Sequence, residues 1–362
     1  MRYLALASDY DGTLAHDGIV DEQTLKSLER LRHSGRKLIL VTGRELPDLE
    51  KTLSRLDLFA VVVVENGALL FTPATREKRL LGAPPPHAFI EDLKRRGVTG
   101  LSVGESIVAT WHPYEAAVLE SIRELGLDLQ VIFNKDAVMI LPSGINKMTG
   151  LTSALTELKL SRHNVVGVGD AENDLAFLGC CDCAVAVSNA LPSVKEKADW
   201  VTEQARGAGV TELIDKLLAD DLASVSSQFK SRGIVLGHSE HEDVLFDASG
   251  KNLLLCGQSG SGKSTFVAGF IERLLQRGYQ TCLVDPEGDY ESLNGFLTVG
   301  DESHPPSFEQ IFQLLDHPGS NLAINLLGVK MHDRPTFFAS LLTKLQEKIL
   351  REGRPHWLII DE

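Results

Sequence analysis

Five short apolar runs recur along the first 220 residues with helical patterns between them: YLALAS at 3–8, KLILVTG at 37–43, LFAVVVVENG at 58–67, HNVVGVGD at 163–170 and CAVAV at 183–187. Val and Leu runs without polar alternation bury both faces, and strands joined through helices run parallel. The recurrence therefore predicts a Rossmann-like parallel sheet covered by helices on both faces, an α/β fold. The first intervening helix is marked by Asp21 as N-cap, by Leu25, Leu28 and Leu31 on one face, and by Gly35 at its end.

Ligands of such a sheet gather at the carboxyl ends of its strands. The residues there are polar in a consistent way. Asp9 and Asp11 follow the first run in SDYDGTL, Thr42 and Gly43 follow the second in VTGR, and Asp170 follows the fourth in GDAENDL, with Asn173 and Asp174 behind it. Lys147, in INKMTG, stands at the start of a predicted helix. Carboxylates drawn together at one sheet edge repel unless a cation holds them, and an all-oxygen donor set suits Mg²⁺. A calcium loop is the competing reading of DYDGT. That loop needs glycine at its sixth position and Glu at its twelfth, whereas Gly12 stands fourth and follows a strand.

These motifs, in this order, resemble those of the haloacid dehalogenase superfamily of phosphatases, in its Cof-like branch, over residues 1 to about 220. The resemblance implies that Asp9 is the nucleophile that takes the phosphoryl group, and that Asp11 protonates the leaving oxygen and then activates water. It implies that Thr42, Gly43 and Lys147 hold phosphate oxygens. It also implies that Asp9, the main-chain carbonyl of Asp11, Asp170 and Asp174 hold Mg²⁺, with Asn173 in support. A carboxylate attacking a phosphate dianion is anion against anion, so Mg²⁺ and Lys147 would offset the charge.

Residues 73–140 break the alternation. PPPHAFIEDLKRRG and PYEAAVLESIRELG read as helices, LSVGESIVATW and LQVIFNKDAVMILP as strands. An inserted α+β unit of this kind resembles the type IIB cap, which in the family covers the site and sets specificity. The expected bounds are 1–72 with 141–220 for the core and 73–140 for the cap. Arg76, Lys94, Arg95, Arg96, His112 and Lys135 are cap residues that could meet an anionic or sugar substrate, though a solvated face is the default role of each.

Residues 221–232 turn polar and Ser-rich and read as a linker. Beyond it, GIVLGHSEHEDVLFD reads as a hairpin and LLLC as a strand. There follow Gly257, Gly262, Lys263 and Ser264 in the GxxxxGK[ST] spacing, then a helix with Phe266, Phe270, Ile271 and Leu274 inward. In that context the loop and helix start, with Ser259, Gly260 and Thr265, would cradle the phosphates of ATP. Lys263 would reach the β and γ phosphates and Ser264 would ligate Mg²⁺. DPEGDY, after the next strand, resembles the HerA/FtsK group of pumping ATPases, a resemblance covering roughly 233–362. In P-loop ATPases an apolar strand ends in an Asp that orients Mg²⁺ and often a Glu that activates water, roles that Asp361 and Glu362 in WLIIDE fit. The expected fold of 233–362 is a partial P-loop NTPase α/β domain, incomplete at its C-terminus. Its open apolar edge is a place where copies could associate.

A net charge of −14 over 362 residues disfavours a broad nucleic-acid surface, so the expected partners are a small phosphorylated substrate and a nucleotide. Cys180 and Cys183 in CCDC have CxxC spacing, but no second Cys or His pair follows at zinc spacing. With the adjoining AVAV they read as core residues. No run reaches the length needed to cross a bilayer, the N-terminal run is too short for a signal peptide, and five cysteines fit a reduced cytoplasm. Three functions stay open: a Mg²⁺-dependent phosphatase with an appended ATP-binding domain, a pumping ATPase with an accessory phosphatase domain, and a bifunctional metabolite kinase and phosphatase.

Overall fold

The computed structural model of the chain describes residues 2–134, 136–229, 233–239, 242–248, 251–290 and 293–361. The chain divides into two compact units, one of residues 3–158 with 162–229, the other of residue 230 onward with 159–161 and the first two residues.

In the first unit, β1 (Ala5–Ser8), β2 (Lys37–Val41), β3 (Val61–Val64), β4 (Leu69–Thr72) and β5 (Glu77–Leu80) precede an insertion. The insertion carries β6 (Ser102–Val103), β7 (Val108–Trp111), β8 (Leu129–Asn134) and β9 (Ala137–Pro142). The chain then returns with β10 (Val165–Gly169), β11 (Cys183–Ala186) and β12 (Trp200–Val201). The main sheet has the order β12-β11-β10-β1-β2-β3-β4-β5. All five runs predicted as strands lie in it and pair in parallel. The last two strands differ. β3 and β4 are joined only by the turn Glu65–Gly67, too short for a crossover, so they pair antiparallel, and β5 follows suit. The helix Glu22–His33 begins as expected, with the Asp21 carboxylate accepting the Thr24 N–H, and buries Leu28 and Leu31.

The insertion is an antiparallel sheet, β6-β7-β9-β8, with the helices His87–Arg95 and Glu115–Glu124 laid on it. Phe89, Leu93 and Val118 from the helices meet Val108, Val138 and Ile140 from the strands in one apolar cluster. Since β5 belongs to the main sheet, Arg76 stands in the β4–β5 turn and not in the cap, and its guanidinium pairs with Glu50. Residues 221–229, expected as linker, cluster with the first unit: Leu222 and Val225 are buried and Asp221 pairs with Arg36 at 3.0 Å. Of the two CxxC cysteines read as core, Cys183 is buried and Cys180, at the end of its helix, is only half-buried; Cys181 between them is buried.

The second unit opens with the hairpin β13 (Ile234–His238) and β14 (Asp243–Phe246). A four-stranded sheet follows, of β15 (Thr281–Asp285), β16 (Phe296–Val299), β17 (Asn321–Asn325) and β18 (Trp357–Ile360), all parallel, in the order β16-β17-β15-β18. The helix Lys263–Gln276 buries Phe270, Ile271 and Leu274. Phe266 sits half-buried beside Phe246 and Trp357 in the same cluster as Phe270. The strand expected at LLLC does not form. Residues 251–258 have no strand structure, Leu254 is 86 % exposed, and β18 takes β15 as its neighbour. An apolar run becomes a strand only when a ladder partner is beside it, and the run 253–255 faces β18 across an apolar groove of about 310 Å³. Among the described residues no helix is long and apolar enough to cross a membrane.

Candidate active site

Three strand ends and one helix start converge in the first unit. β1 and β10 lie side by side, and the Asp9 N–H continues their ladder to the Val168 carbonyl at 3.0 Å, placing Asp9 beside Asp170. Lys147 is the first residue of the helix Lys147–Glu157. The Asn146 side chain fixes that helix start by accepting the N–H groups of Met148 and Thr149. The Lys147 ammonium lies 2.6 Å from Asp9 Oδ1 and 2.6 Å from Asp174 Oδ1. Asp174 Oδ2 accepts the main-chain N–H groups of Asp170 and Ala171, each at 3.0 Å, and the Thr13 hydroxyl donates to Asp170 Oδ1.

Carboxylate oxygens of Asp9, Asp170 and Asp174 all lie within 4.8 Å of one another. Burial, and then the neighbouring Asp174, hold the Asp9 carboxyl well above the usual carboxylate range, against the pull of Lys147. For Lys147 burial favours the neutral amine, but Asp174 and Asp9 together outweigh it and hold the ammonium above its ordinary range. Asn173 Oδ1 is buried without a hydrogen-bond partner among the described residues. Gly12, at φ +86°, lets the loop pass the carboxylates closely, since a Cβ there would fall 2.4 Å from Asp170 Oδ2.

Asp9, Lys147, Ala171 and Asn173 line a cavity of about 430 Å³ together with Asp11, Thr42 and Gly43, while Asp170 and Asp174 lie behind them. The Asp11 carboxylate does not turn to the triad. Arg44 clasps it with Nε and Nη2, each at 2.7 Å, donates from Nη1 to Asp48, and lies 5.0 Å from the centre of the Tyr10 ring. The cap wall of the cavity is Gly100, Ser102, Ile107, Ala109, Thr110, Trp111, Ala137 and Met139.

The charged cap residues weighed as substrate contacts stand elsewhere. Arg95 and Arg96 are tied to Asp92, Arg96 also reaches Glu120 and Glu124, His112 pairs with Glu115, and neither these nor Lys94 line the cavity. Each forms or borders a helix-surface ion pair, the solvated-face role expected of such charges by default. Lys135 lies outside the described residues.

Sequence reasoning missed Arg44, Glu65 and Asn66. The strand-end rule reaches all three, because Arg44 closes VTGR and Glu65 and Asn66 follow β3 directly. Glu65 is buried, and its carboxylate accepts the N–H groups of Glu105, Ser106 and Ile107. Burial pushes it above its usual range against those three donors.

In the second unit, Ser259, Gly260, Gly262, Lys263, Ser264, Thr265 and Asp361 line a pocket of about 380 Å³ together with Asp285, Glu287 and Asp289. Gly257 borders it through its carbonyl, which accepts from Lys263 Nζ at 3.2 Å. The DPEGDY loop is folded by Asp285, whose carboxylate accepts the N–H groups of Gly288, Asp289 and Tyr290. That fold brings the Tyr290 hydroxyl to Asp361 Oδ2 at 2.7 Å. Burial, together with the Asp361 carboxylate, raises the phenol well above its ordinary range. Glu362 lies outside the described residues.

Residues 239–358 match the family described as helicase HerA, central domain. Phosphoglycolate phosphatase 2 of Saccharolobus solfataricus is 31 % identical over 225 residues, 60 % of this chain and 93 % of that protein. A phosphoglycolate phosphatase of Methanothermobacter thermautotrophicus is 29 % identical, over 59 % of this chain and 98 % of its own. A crystal structure from Thermoplasma acidophilum superposes with a TM-score of 0.53 at 16 % identity, over 60 % of this chain and 99 % of that one, a likeness of fold. Residues 6–95 and 118–214, more than half of the chain, match the haloacid dehalogenase-like hydrolases, and the chain belongs to that family.

Proposed function

We propose that the first unit is a Mg²⁺-dependent phosphatase of a small phosphorylated metabolite, with Asp9 as nucleophile, and that the second unit binds ATP. The observation that carries the phosphatase reading is the buried meeting of Asp9, Asp170 and Asp174 with Lys147, with Asp9 and Lys147 lining a capped cavity. The donors suit a hard cation, being oxygens throughout, with the orphaned Asn173 Oδ1 beside them. Asp9, Asp170, Asp174 and the Asp11 carbonyl would hold Mg²⁺, which when bound supplies positive charge against the incoming phosphate.

The chain's own groups account for the rest. A carboxylate oxygen of Asp9 attacks phosphorus, its O–P bond forming as the ester P–O bond breaks, and the departing oxygen takes a proton from Asp11, which must first leave the Arg44 clasp and turn to the site. Water then attacks the aspartyl phosphate and gives its proton to Asp11, freeing phosphate and restoring Asp9. Lys147, and Thr42 with Gly43 at the end of β2, face the transferred oxygens. The names of the relatives favour a phosphoglycolate-like substrate, and a sugar phosphate is the second candidate. In the second unit the shared pocket of Lys263, Ser264 and Asp361 supports ATP binding.

Phosphate release from phosphoglycolate, sugar phosphates and an aryl phosphate, with Mg²⁺ or with EDTA, tests the reading. Turnover is expected only with Mg²⁺ and is expected to vanish in a folded Asp9→Asn variant. Full activity in that variant, or in EDTA, removes Asp9 and the metal from the reaction.

A further inference from the structure

The turn after β3 holds two non-glycine residues in succession in the left-handed region, Glu65 at φ 51° and Asn66 at φ 54°. Such backbone is unfavourable for side chains with a Cβ and persists where its surroundings impose it. The surroundings here are the segment that ends β2. The Glu65 N–H donates to the Arg44 carbonyl at 2.9 Å and the Asn66 N–H to the Thr42 carbonyl at 3.0 Å, so the turn is bolted to the main chain of residues 42–44.

From that fixed base the Glu65 side chain crosses into the cap. Its carboxylate accepts three successive main-chain N–H groups of the β6–β7 turn: Glu105 at 2.8 Å, Ser106 at 2.7 Å and Ile107 at 3.0 Å. The fit is close on the cap side as well, since a Cβ on Gly104 would stand 2.6 Å from Glu65 Oε1. The Ser106 hydroxyl adds a bond to the Gly82 carbonyl at 2.7 Å. The turn so held runs directly into β7, whose Ala109, Thr110 and Trp111, with Ile107 before them, form the cavity wall facing the triad.

We infer that Glu65 is a positioning residue for substrate selection, locking the cap wall that meets the leaving group to the main chain of the phosphate-binding segment 42–44. This rests on the phosphatase reading. A carboxylate that only stabilised the fold would affect every substrate alike, whereas a register lock affects a substrate in proportion to how far its leaving group reaches toward β7.

The test compares Glu65→Gln and Gly104→Ala with the unaltered protein, using acetyl phosphate as the small donor and 4-nitrophenyl phosphate as the large one, both with Mg²⁺. The readout is the ratio of the two kcat/KM values, which does not depend on how much of the protein is folded. We expect the ratio to move against the nitrophenyl ester by about 10-fold in either variant, the scale of a sub-ångström misplacement. A ratio within about 3-fold of the original in both variants overturns the inference, while an original protein that hydrolyses neither ester overturns the phosphatase reading instead. Hydrogen exchange tests the lock without turnover. Glu65→Gln is expected to speed exchange at the amides of Glu105, Ser106 and Ile107 together with those of Glu65 and Asn66, and unchanged protection at all five overturns it.

Discussion

Replacing Lys147 by methionine keeps most of the unbranched apolar stem of the side chain and removes its ammonium. The structure states what that leaves behind: Asp9 and Asp174, with side chains 6 % and 0 % exposed, each stripped of a partner 2.6 Å away, and Asp170 next to both. Taking one member out of a buried ionic group, so that charge is left uncompensated, costs about 3–5 kcal/mol. For a unit of this size each kcal/mol moves the midpoint by about 2–4 °C, so thermal melting in EDTA is expected about 6–20 °C below the unaltered protein. A divalent cation among the same carboxylates would restore the missing positive charge. Millimolar Mg²⁺ is therefore expected to recover most of the lost melting temperature in Lys147→Met and to have a smaller effect on the original. Activity should not follow if, as proposed, the ammonium meets the transferred phosphate, and kcat is then expected to stay down by about 10²–10³-fold. Differential scanning calorimetry in EDTA and in Mg²⁺, with phosphate release measured on the same samples, gives both numbers. A variant that melts within about 2 °C of the original in EDTA, or that Mg²⁺ leaves unmoved, refutes the account of the triad as a buried charge cluster needing a cation.

Gly12→Ala places a Cβ into Asp170 at a left-handed position, so the Mg²⁺ concentration for half-maximal activity is expected to rise about 10–100-fold in a metal titration. Lys263→Ala is expected to weaken ATP binding at least about 10-fold by calorimetry, performed on an Asp9→Asn background so that the first unit does not consume the nucleotide. Tyr290→Phe removes the hydroxyl that occupies Asp361 and is expected to tighten the Mg²⁺-dependent part of nucleotide binding by about 10-fold; equal affinity would show that the bond does not compete with the metal. Burial pushes the Cys282 thiol up to about 12, so it stays protonated and closed to Ellman's reagent at pH 8, where exposed Cys256 is expected to react first.

The first unit was legible because two independent regularities coincide in it. Strand runs rich in Val announce themselves without any partner being known, and a parallel sheet sends its functional side chains to one known end, so Asp9, Thr42 and Asp170 follow from where three runs stop. The cap was legible as an insertion but not as a surface. Its arginines close ion pairs along helix faces, the default role of such charges, while the wall that meets the cavity includes Ile107, Ala109 and Met139, residues that any core would use. Sequence spacing shows what a side chain is and not which of two faces it occupies when both faces are half-covered.

The second unit marks where the strand rule runs out. LLLC and WLII are equally apolar, yet only the second pairs, through Val284 against Ile360, while Leu254 stays in solvent. Composition cannot separate them, because a strand is a relation between two segments and each segment carries half of the information. What the sequence does carry is the loop chemistry on either side. Gly260 and Gly262 take φ of 79° and 91°, as a phosphate loop feeding a helix requires, and Asp285 folds its own following turn by accepting three successive N–H groups. These local devices form without their neighbours in the sheet. With Asp361 at the end of β18, they bring Lys263 and Ser264 to one pocket although the run before the loop makes no ladder with that edge strand.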